Sequence, residues 1–116
     1  MSRHCLALDL VNDPFLIDQY LEHHKKVWPE IIESIKDSGI ESMEIYHVAD
    51  RLFMIIETEK DCSFKKKSKM DAQNPYVIKW EELMSQYQKV LPVANAGEKW
   101  ILMDKVFDLI ETKQQT

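Results

Sequence analysis

The sequence predicts a single domain of the α+β class, with its elements in the order β, α, β, β, α, β. Three observations support this prediction. Leucines alternate with other residues over 3–10, as in a strand with one apolar face. Apolar residues then recur at helical spacing over 14–37, and a continuous apolar run follows at 52–56. A chain of 116 residues is long enough to bury one core without a metal or a disulfide.

The first strand and the first helix follow from local signals. The strand is expected over residues 3–10, and Asp13 can then cap a helix whose first turn contains Pro14. The apolar periodicity of this helix continues to residue 37. Pro29 lies inside the helix and removes a hydrogen bond to the preceding turn, so we expect a kink or a short break close to Trp28.

A β-hairpin is expected next. Gly39 ends the helix, because glycine adopts the left-handed conformation after a helix without strain. Strands are predicted over residues 40–48 and 51–58, with a tight turn at residues 49–50 between them. The apolar run at 52–56 is typical of a central strand that is covered on both faces. We therefore expect this hairpin in the middle of the sheet.

The second half of the chain completes the pattern. A weak, charged helix is predicted over residues 61–70 and a better one over residues 76–88. The longest loop is expected at residues 91–97, and a last strand at residues 99–107. The tail at residues 108–116 is polar, and we expect it to be mobile.

These elements fit a ferredoxin-like plan over a single domain, residues 1–116, with an ordered core over about residues 3–107. In this plan a four-stranded antiparallel sheet carries its helices on one face. The second face is left for a partner subunit or a cleft. The residues that we expect on this second face are Asp9, Tyr46, Glu57 and Trp100.

Composition and charge exclude several function classes. The formal charge of −5 disfavours binding to nucleic acid or to an anionic membrane, and nearby acids offset the basic run at residues 65–67. No apolar run approaches the roughly 18 residues of a membrane span, and the N-terminus does not fit a signal peptide. We therefore predict a cytoplasmic protein, in which Cys5 and Cys62 are free thiols.

The most informative stretch lies in the first helix. Tyr20 and His24 are four residues apart, which places their Cβ atoms about 5–6 Å apart on one face of the helix. Histidine can exchange a proton near neutral pH. The alternative interpretation is a core histidine that is satisfied by a hydrogen bond. The other members of this face are Ile17, Leu21, Trp28, Ile31 and Ile35.

The sequence contains few other signals for chemistry. It has only two glycines, no phosphate-binding loop and no metal-ligand spacing, and His23 and His24 do not face the same point on a helix. Trp28 and Trp80 are either core aromatics or platforms for the apolar face of a sugar. Glu81 places a carboxylate near that platform, unless it is a solvent-exposed helix charge. These residues leave two possibilities open, cofactor-free acid–base chemistry and simple ligand binding.

The chain also resembles a known family, the L-rhamnose mutarotases. The resemblance spans roughly residues 3–107, and its most specific part is the string His24, Val27, Trp28, Pro29 and Glu30 between the first strand and the hairpin. Further matching residues are Tyr20, Gly39, Ile40, Ile45, Tyr46, Leu52, Phe53, Trp80, Leu83 and Met84.

The resemblance implies a fold, an activity and a site. It implies a dimeric α/β barrel, in which the sheets of two protomers pack together, and interconversion of the α and β anomers of a 6-deoxy-L-sugar. L-rhamnose is the first choice of substrate and L-fucose the second. His24 would be the proton donor and Tyr20 would bind the sugar beside it. Sugar contacts are expected from Tyr20, Trp28, Met43, Tyr46, Trp80 and Glu81.

Two positions depart from the family pattern. Met43 stands where rhamnose-type members carry a tyrosine, and Trp80 is followed by Glu81 where they carry a second tryptophan. A carboxylate in place of an indole would suit a different pattern of hydroxyl groups.

Mutarotation needs two proton-transfer groups and a pocket, and the expected protein therefore needs no cofactor and no metal. With His24 as the acid, Glu81 and Tyr20 are the candidates for the base. The expected partners are a monosaccharide and a second copy of the chain. Two alternatives remain at this point. One is a cofactor-free monooxygenase or haem-degrading protein with a dimeric α/β barrel, and the other is a non-catalytic ligand-binding module.

Overall fold

The computed structural model describes residues 2–110 and confirms an α+β fold with an antiparallel sheet. Residues 111–116, most of the predicted tail, lie outside the described part. Within residues 2–110 no helix is both long and apolar enough to cross a membrane. The elements are β1 (Ser2–Leu10), α1 (Pro14–Lys25), α2 (Pro29–Asp37), β2 (Ile40–Val48), β3 (Arg51–Thr58), α3 (Phe64–Gln73), α4 (Pro75–Ser85), β4 (Gln88–Lys89) and β5 (Ile101–Leu102).

The sheet has the strand order β2, β3, β1, β4, and β5 pairs with β1 beside β4. All pairs are antiparallel. The prediction of a hairpin in the middle of the sheet was wrong in one respect. Strand β3 is central, but β2 forms the edge, because β1 pairs with β3 along its length and nothing in residues 2–110 pairs with the far side of β2.

The predicted interruption of the first helix is a complete break between α1 and α2. The Asp13 carboxylate accepts hydrogen bonds from two backbone N–H groups of the first turn of α1, as expected for an N-cap. Trp28 has an extended backbone, with φ −59° and ψ 136°. The following Pro29 disfavours the helical conformation at this residue, and a new helix starts at the proline. Gly39 ends α2 with a φ of +93°, as predicted.

The last part of the chain differs from the prediction. Helix α4 ends at Ser85, three residues early, and the last strand spans only residues 101–102. The free edge of β1 explains both differences, because two short segments share it. Residues 88–89 pair with the end of β1, and residues 101–102 pair with its middle. Helix α3 lies three residues later than predicted, because Ser63 caps its first turn.

The helices cover one face of the sheet. Leu8 and Leu52 face each other across β1 and β3 and are almost fully buried on this side. Trp100 lies on the same side, where it packs against the core, so its predicted place on the opposite face was wrong. The reason is the register of β5, which pairs Leu102 with the inward-facing Leu6, and side chains two residues apart share a face.

The opposite face carries no helix in residues 2–110. The register places Asp9, Glu57 and Tyr46 there, as predicted. One row across β2, β3, β1 and β5 on this face is apolar or aromatic. It consists of Tyr46, Phe53, Ala7 and Ile101.

Candidate active site

A cavity of about 670 Å³ lies between the helix-covered face of the sheet and the helices. This volume falls in the range of small-molecule sites. Most of the lining is apolar, and polar side chains of α1, α4 and β4 contribute to it. The lining includes Tyr20, His24, Met43, Trp80, Glu81, Gln88 and Trp100.

His24 is held by its own helix. Its Nδ1 atom lies 2.9 Å from the carbonyl oxygen of Tyr20, one turn earlier. A carbonyl only accepts hydrogen bonds, so Nδ1 carries the proton and donates it, and Nε2 is the atom that can exchange a proton with a ligand. Burial lowers the pKa of His24, and the bond to the Tyr20 carbonyl opposes this decrease in part. The nearby ring of His23 lowers the pKa further.

Tyr20 lies against the imidazole ring. The two ring centres are 4.4 Å apart, and the phenol is almost completely buried. Burial raises the pKa of Tyr20 to about 12. The Gln88 side chain acts in the opposite direction, and the charge of Glu81 adds to the increase. The phenol therefore keeps its proton at neutral pH, and Tyr20 is suited to donate a hydrogen bond rather than to remove a proton.

Trp80 forms one wall of the cavity. Its ring centre lies 5.6 Å from that of His24, with the two rings steeply inclined. Trp28 packs edge to face against Trp80 at 5.1 Å, but it does not line the cavity. Trp28 therefore supports the wall from behind. Met43 lines the cavity from β2, where the register pairs it with the inward-facing Ile56.

Glu81 belongs to a polar cluster at the edge of the cavity. Lys99 Nζ lies 2.9 Å from Oε2 of Glu81 and 2.6 Å from the hydroxyl of Ser85. These contacts fix one carboxylate oxygen of Glu81. The side chain of Glu81 is about half exposed (51%), so the carboxylate lies where the cavity meets solvent.

The structure thus brings together five of the seven residues that the sequence analysis singled out. Tyr20, His24, Met43, Trp80 and Glu81 line one cavity, and Trp28 lies behind it. Tyr46 does not take part, because its register partner Phe53 faces away from the helices. The Tyr46 hydroxyl instead donates a hydrogen bond to Glu44 on the same face of β2. Tyr46 therefore lies outside this cavity, on the opposite face of the sheet from the other predicted contacts.

The sequence that forms this cavity matches a known protein family. The family model described as L-rhamnose mutarotase covers residues 3–109, nearly the whole chain. The chain belongs to the L-rhamnose mutarotase family. The resemblance found in the sequence, the sugar mutarotase activity that it implied and the assignment to the isomerases are thereby confirmed.

Individual relatives agree with this assignment. The chain is 40% identical over 113 residues to the L-fucose mutarotase of Xanthomonas campestris pv. campestris, an alignment that covers 96% of this chain and 90% of that protein. The crystal structure of an L-rhamnose mutarotase from Formosa agariphila superimposes with a TM-score of 0.69 at 23% identity, and covers 94% of this chain and 99% of that one. The family thus includes proteins named for two different sugars.

The fold by itself does not identify the activity. Tetracenomycin F2 cyclase from Streptomyces glaucescens, a polyketide cyclase, superimposes with a TM-score of 0.55 at 17% identity, and covers 93% of this chain and 96% of that one. This likeness concerns the fold alone. The side chains of the cavity must therefore carry the argument about chemistry.

Two residues that line the cavity were missed by the sequence analysis. Gln88 was assigned to the end of a helix and Trp100 to the wrong face of the sheet. His23 lies outside the cavity, and its Nε2 lies 3.2 Å from the hydroxyl of the buried Tyr87. No local pattern marks Gln88, because its position depends on pairing with β1, almost eighty residues earlier in the chain. A prediction that ended α4 before Gln88 would have allowed this residue to be assigned to a strand.

Proposed function

We propose that this mutarotase interconverts the α and β anomers of a 6-deoxy-L-sugar by acid–base ring opening and closure in the cavity beside His24. The observation that carries the proposal is the fixed imidazole of His24. Its Nδ1 is tied to the carbonyl of Tyr20, so Nε2 is the proton-exchanging atom in a cavity walled by Trp80. An imidazole whose Nε2 can exchange a proton and a flat indole wall suit a pyranose ring.

The proposed reaction begins with ring opening. Protonated His24 donates the Nε2 proton to the ring oxygen as the bond from that oxygen to C1 breaks. At the same time a base removes the proton of the anomeric hydroxyl, and the C1 carbonyl forms. Rotation about the C1–C2 bond then presents the other face of the aldehyde. In ring closure the base gives its proton to the carbonyl oxygen, and His24 takes back the proton from the former ring oxygen as that oxygen attacks C1. Neither group is consumed.

Glu81 is the better candidate for the base. The raised pKa of Tyr20 keeps its phenol protonated, which suits a hydrogen bond to a sugar oxygen and disfavours proton removal. Glu81 lines the same cavity and presents a carboxylate, one oxygen of which is held by Lys99. The other oxygen remains to accept the anomeric proton. We therefore assign the acid role to His24, the base role to Glu81 and sugar binding to Tyr20, Trp80 and Met43.

We propose L-fucose as the preferred sugar, with L-rhamnose as the comparison substrate. Two observations support this choice. A relative that is 40% identical to this chain over 113 residues is named an L-fucose mutarotase. In addition, Glu81 places a carboxylate at the cavity edge, where the family resemblance implies a second tryptophan. The two sugars differ in configuration at C2 and C4, so a group that accepts a hydrogen bond can distinguish their hydroxyls.

The test is an anomer-exchange assay. Saturation-transfer NMR on equilibrated L-fucose, L-rhamnose and D-glucose gives an exchange rate for each sugar as a function of protein concentration. We expect kcat/KM to be highest for L-fucose, lower for L-rhamnose and lowest for D-glucose. Exchange no faster than in buffer for all three sugars would refute the proposed function. Faster exchange of L-rhamnose would refute only the choice of sugar.

We also propose that two copies of the chain assemble through the open face of the sheet, as in the dimeric barrel that the family resemblance implies. The row of apolar and aromatic side chains on that face supports a second copy as the occupant, because a helix-free apolar sheet face is costly to expose. The cavity lies on the other side of the sheet. The cytoplasmic location and the lack of nucleic-acid and membrane partners stay predictions.

A further inference from the structure

Gln88 reaches the cavity through the short strand β4. It pairs with Leu10 of β1, and the Leu10 side chain is completely buried on the helix-covered side of the sheet. Directly paired residues point their side chains to the same face. The Gln88 side chain therefore extends from the sheet into the cavity, where it contacts Tyr20.

The amide of Gln88 is incompletely satisfied there. Among residues 2–110, its Oε1 is the one buried side-chain nitrogen or oxygen atom of a non-exposed residue without a hydrogen-bond partner. A buried acceptor without a partner is destabilising, so such atoms are rare in proteins and usually have a functional reason. Methionine or leucine would fill the same space without this cost.

The surroundings indicate what kind of group would pair with Oε1. The Gln88 side chain has a hydrogen bond with the phenol of Tyr20, and because Oε1 has no partner, the amide nitrogen is the atom that makes it. The oxygen needs a donor, and a ligand in this cavity must bring one. The hydroxyl groups of a sugar are such donors. A site that hydrogen-bonds a substrate hydroxyl discriminates strongly against analogues without it.

We propose that Gln88 is a sugar-binding residue of this mutarotase, and that its amide oxygen accepts a hydrogen bond from one hydroxyl of the pyranose. This inference rests on the proposed function and deepens it. It adds a specificity-determining contact from β4 to those from α1 and α4. Gln88 touches the substrate but transfers no proton, so its loss changes sugar binding much more than the rate of the chemical step.

The experiment compares Gln88→Met with the wild-type protein in the anomer-exchange assay, using the better of L-fucose and L-rhamnose. Methionine keeps the length of the side chain and removes the amide. We expect KM to increase about 2- to 12-fold, the effect of losing one neutral hydrogen bond, with kcat within a factor of two. Gln86→Met is the matched control, because Gln86 is exposed at the end of α4 and lies outside the cavity. It should leave both constants unchanged.

Two further readouts separate binding from a structural role. Gln88→Met should change the thermal unfolding midpoint little, because it removes the unpaired buried oxygen together with the amide contact to Tyr20, and these two losses act in opposite directions. Monodeoxy analogues of the sugar at C2, C3 and C4 identify the hydroxyl, since for one analogue the wild type and Gln88→Met should have the same KM. An unchanged KM for the parent sugar overturns the inference, as does an equal increase for the parent and all three analogues. If the wild-type protein itself does not accelerate anomer exchange, the proposed function fails as well. A failure of the Gln88 inference alone leaves the wild-type exchange accelerated, so the two failures are distinguishable.

Discussion

The Nδ1 atom of His24 lies 2.9 Å from the backbone carbonyl of Tyr20, which precedes it by one helical turn. Because the acceptor belongs to the helix itself, the tautomer and the ring orientation of His24 do not depend on a distant partner. The phenol of Tyr20, tilted by 35° against the imidazole plane, packs against one side of the ring. This arrangement fixes the direction of Nε2 before any sugar binds, and preorganised proton-transfer groups are the basis of acid–base catalysis.

Replacement of His24 tests its role in proton transfer. His24→Asn retains a donor that can reach the Tyr20 carbonyl but lacks Nε2. We expect kcat to fall by about 10²- to 10⁴-fold while sugar binding persists, because general acid–base help is of this size. Saturation-transfer NMR measures the rate, and a sugar titration followed by tryptophan fluorescence measures binding. His47→Asn, at an exposed position of β2, is the control and should behave as the wild type. Full activity of His24→Asn would exclude the assignment.

The pH dependence follows from the lowered pKa of His24. A proton donor is active in its protonated form, and burial moves the pKa of this group below its ordinary value of 6.5. We therefore expect kcat/KM to fall as the pH rises through a midpoint below 6.5, since kcat/KM reports on the free enzyme. The measurement is the exchange rate at low sugar concentration from pH 5 to 8. His24→Asn should lack this midpoint, and a rate that rises with pH through it would assign His24 the base role instead.

The two tryptophans are expected to differ in function although they are in contact. Trp80→Phe shortens the wall that faces the sugar, and we expect KM to increase about 2- to 12-fold. Trp28→Phe changes only the layer behind that wall. It should lower the unfolding midpoint and leave KM within a factor of two of the wild-type value. Equal KM values for Trp80→Phe and the wild type would make Trp80 a core residue only.

Lys99 is expected to act through Glu81. Its ammonium group contacts both the Glu81 carboxylate and the Ser85 hydroxyl. Lys99→Met should therefore leave the carboxylate free to rotate and lower kcat several-fold, in proportion to the time that Glu81 spends out of position. The decisive comparison is a double-mutant cycle with Glu81→Gln, in which Lys99→Met should have little further effect on kcat. Additive losses in the double variant would show that Lys99 acts independently of Glu81.

The parts of the fold that depend on neighbouring residues were predictable from the sequence. Asp13 before Pro14 marks the start of α1, and Pro29 breaks the helix through the conformation that it imposes on the residue before it. The face of α1 was predictable as well, because a spacing of four residues brings Tyr20 and His24 together in any helix. The local half of the candidate site therefore follows from the sequence.

The remaining half of the candidate site depends on pairing between strands that are distant in the sequence. Whether Tyr46 or Met43 faces the cavity is decided by the register of β2 against β3, and a shift of one residue would exchange the two. Trp100 is placed by the pairing of β5 with β1, and Gln88 by that of β4 with β1. Nothing within a few residues of these positions specifies the register, so periodicity could not locate them.

The assembly through the open face is tested at Phe53. This residue lies in the row between Ala7 of β1 and Tyr46 of β2, so a charge there would be desolvated in a dimer but not in a monomer. We expect the wild type to sediment as a dimer at micromolar concentration, and Phe53→Arg to sediment as a monomer with its helix content retained by circular dichroism. Val93→Arg is the control, because Val93 is 72% exposed in the loop that precedes β5. A wild-type protein that sediments only as a monomer would contradict the proposed assembly, and a dimer that persists in Phe53→Arg would place the interface elsewhere.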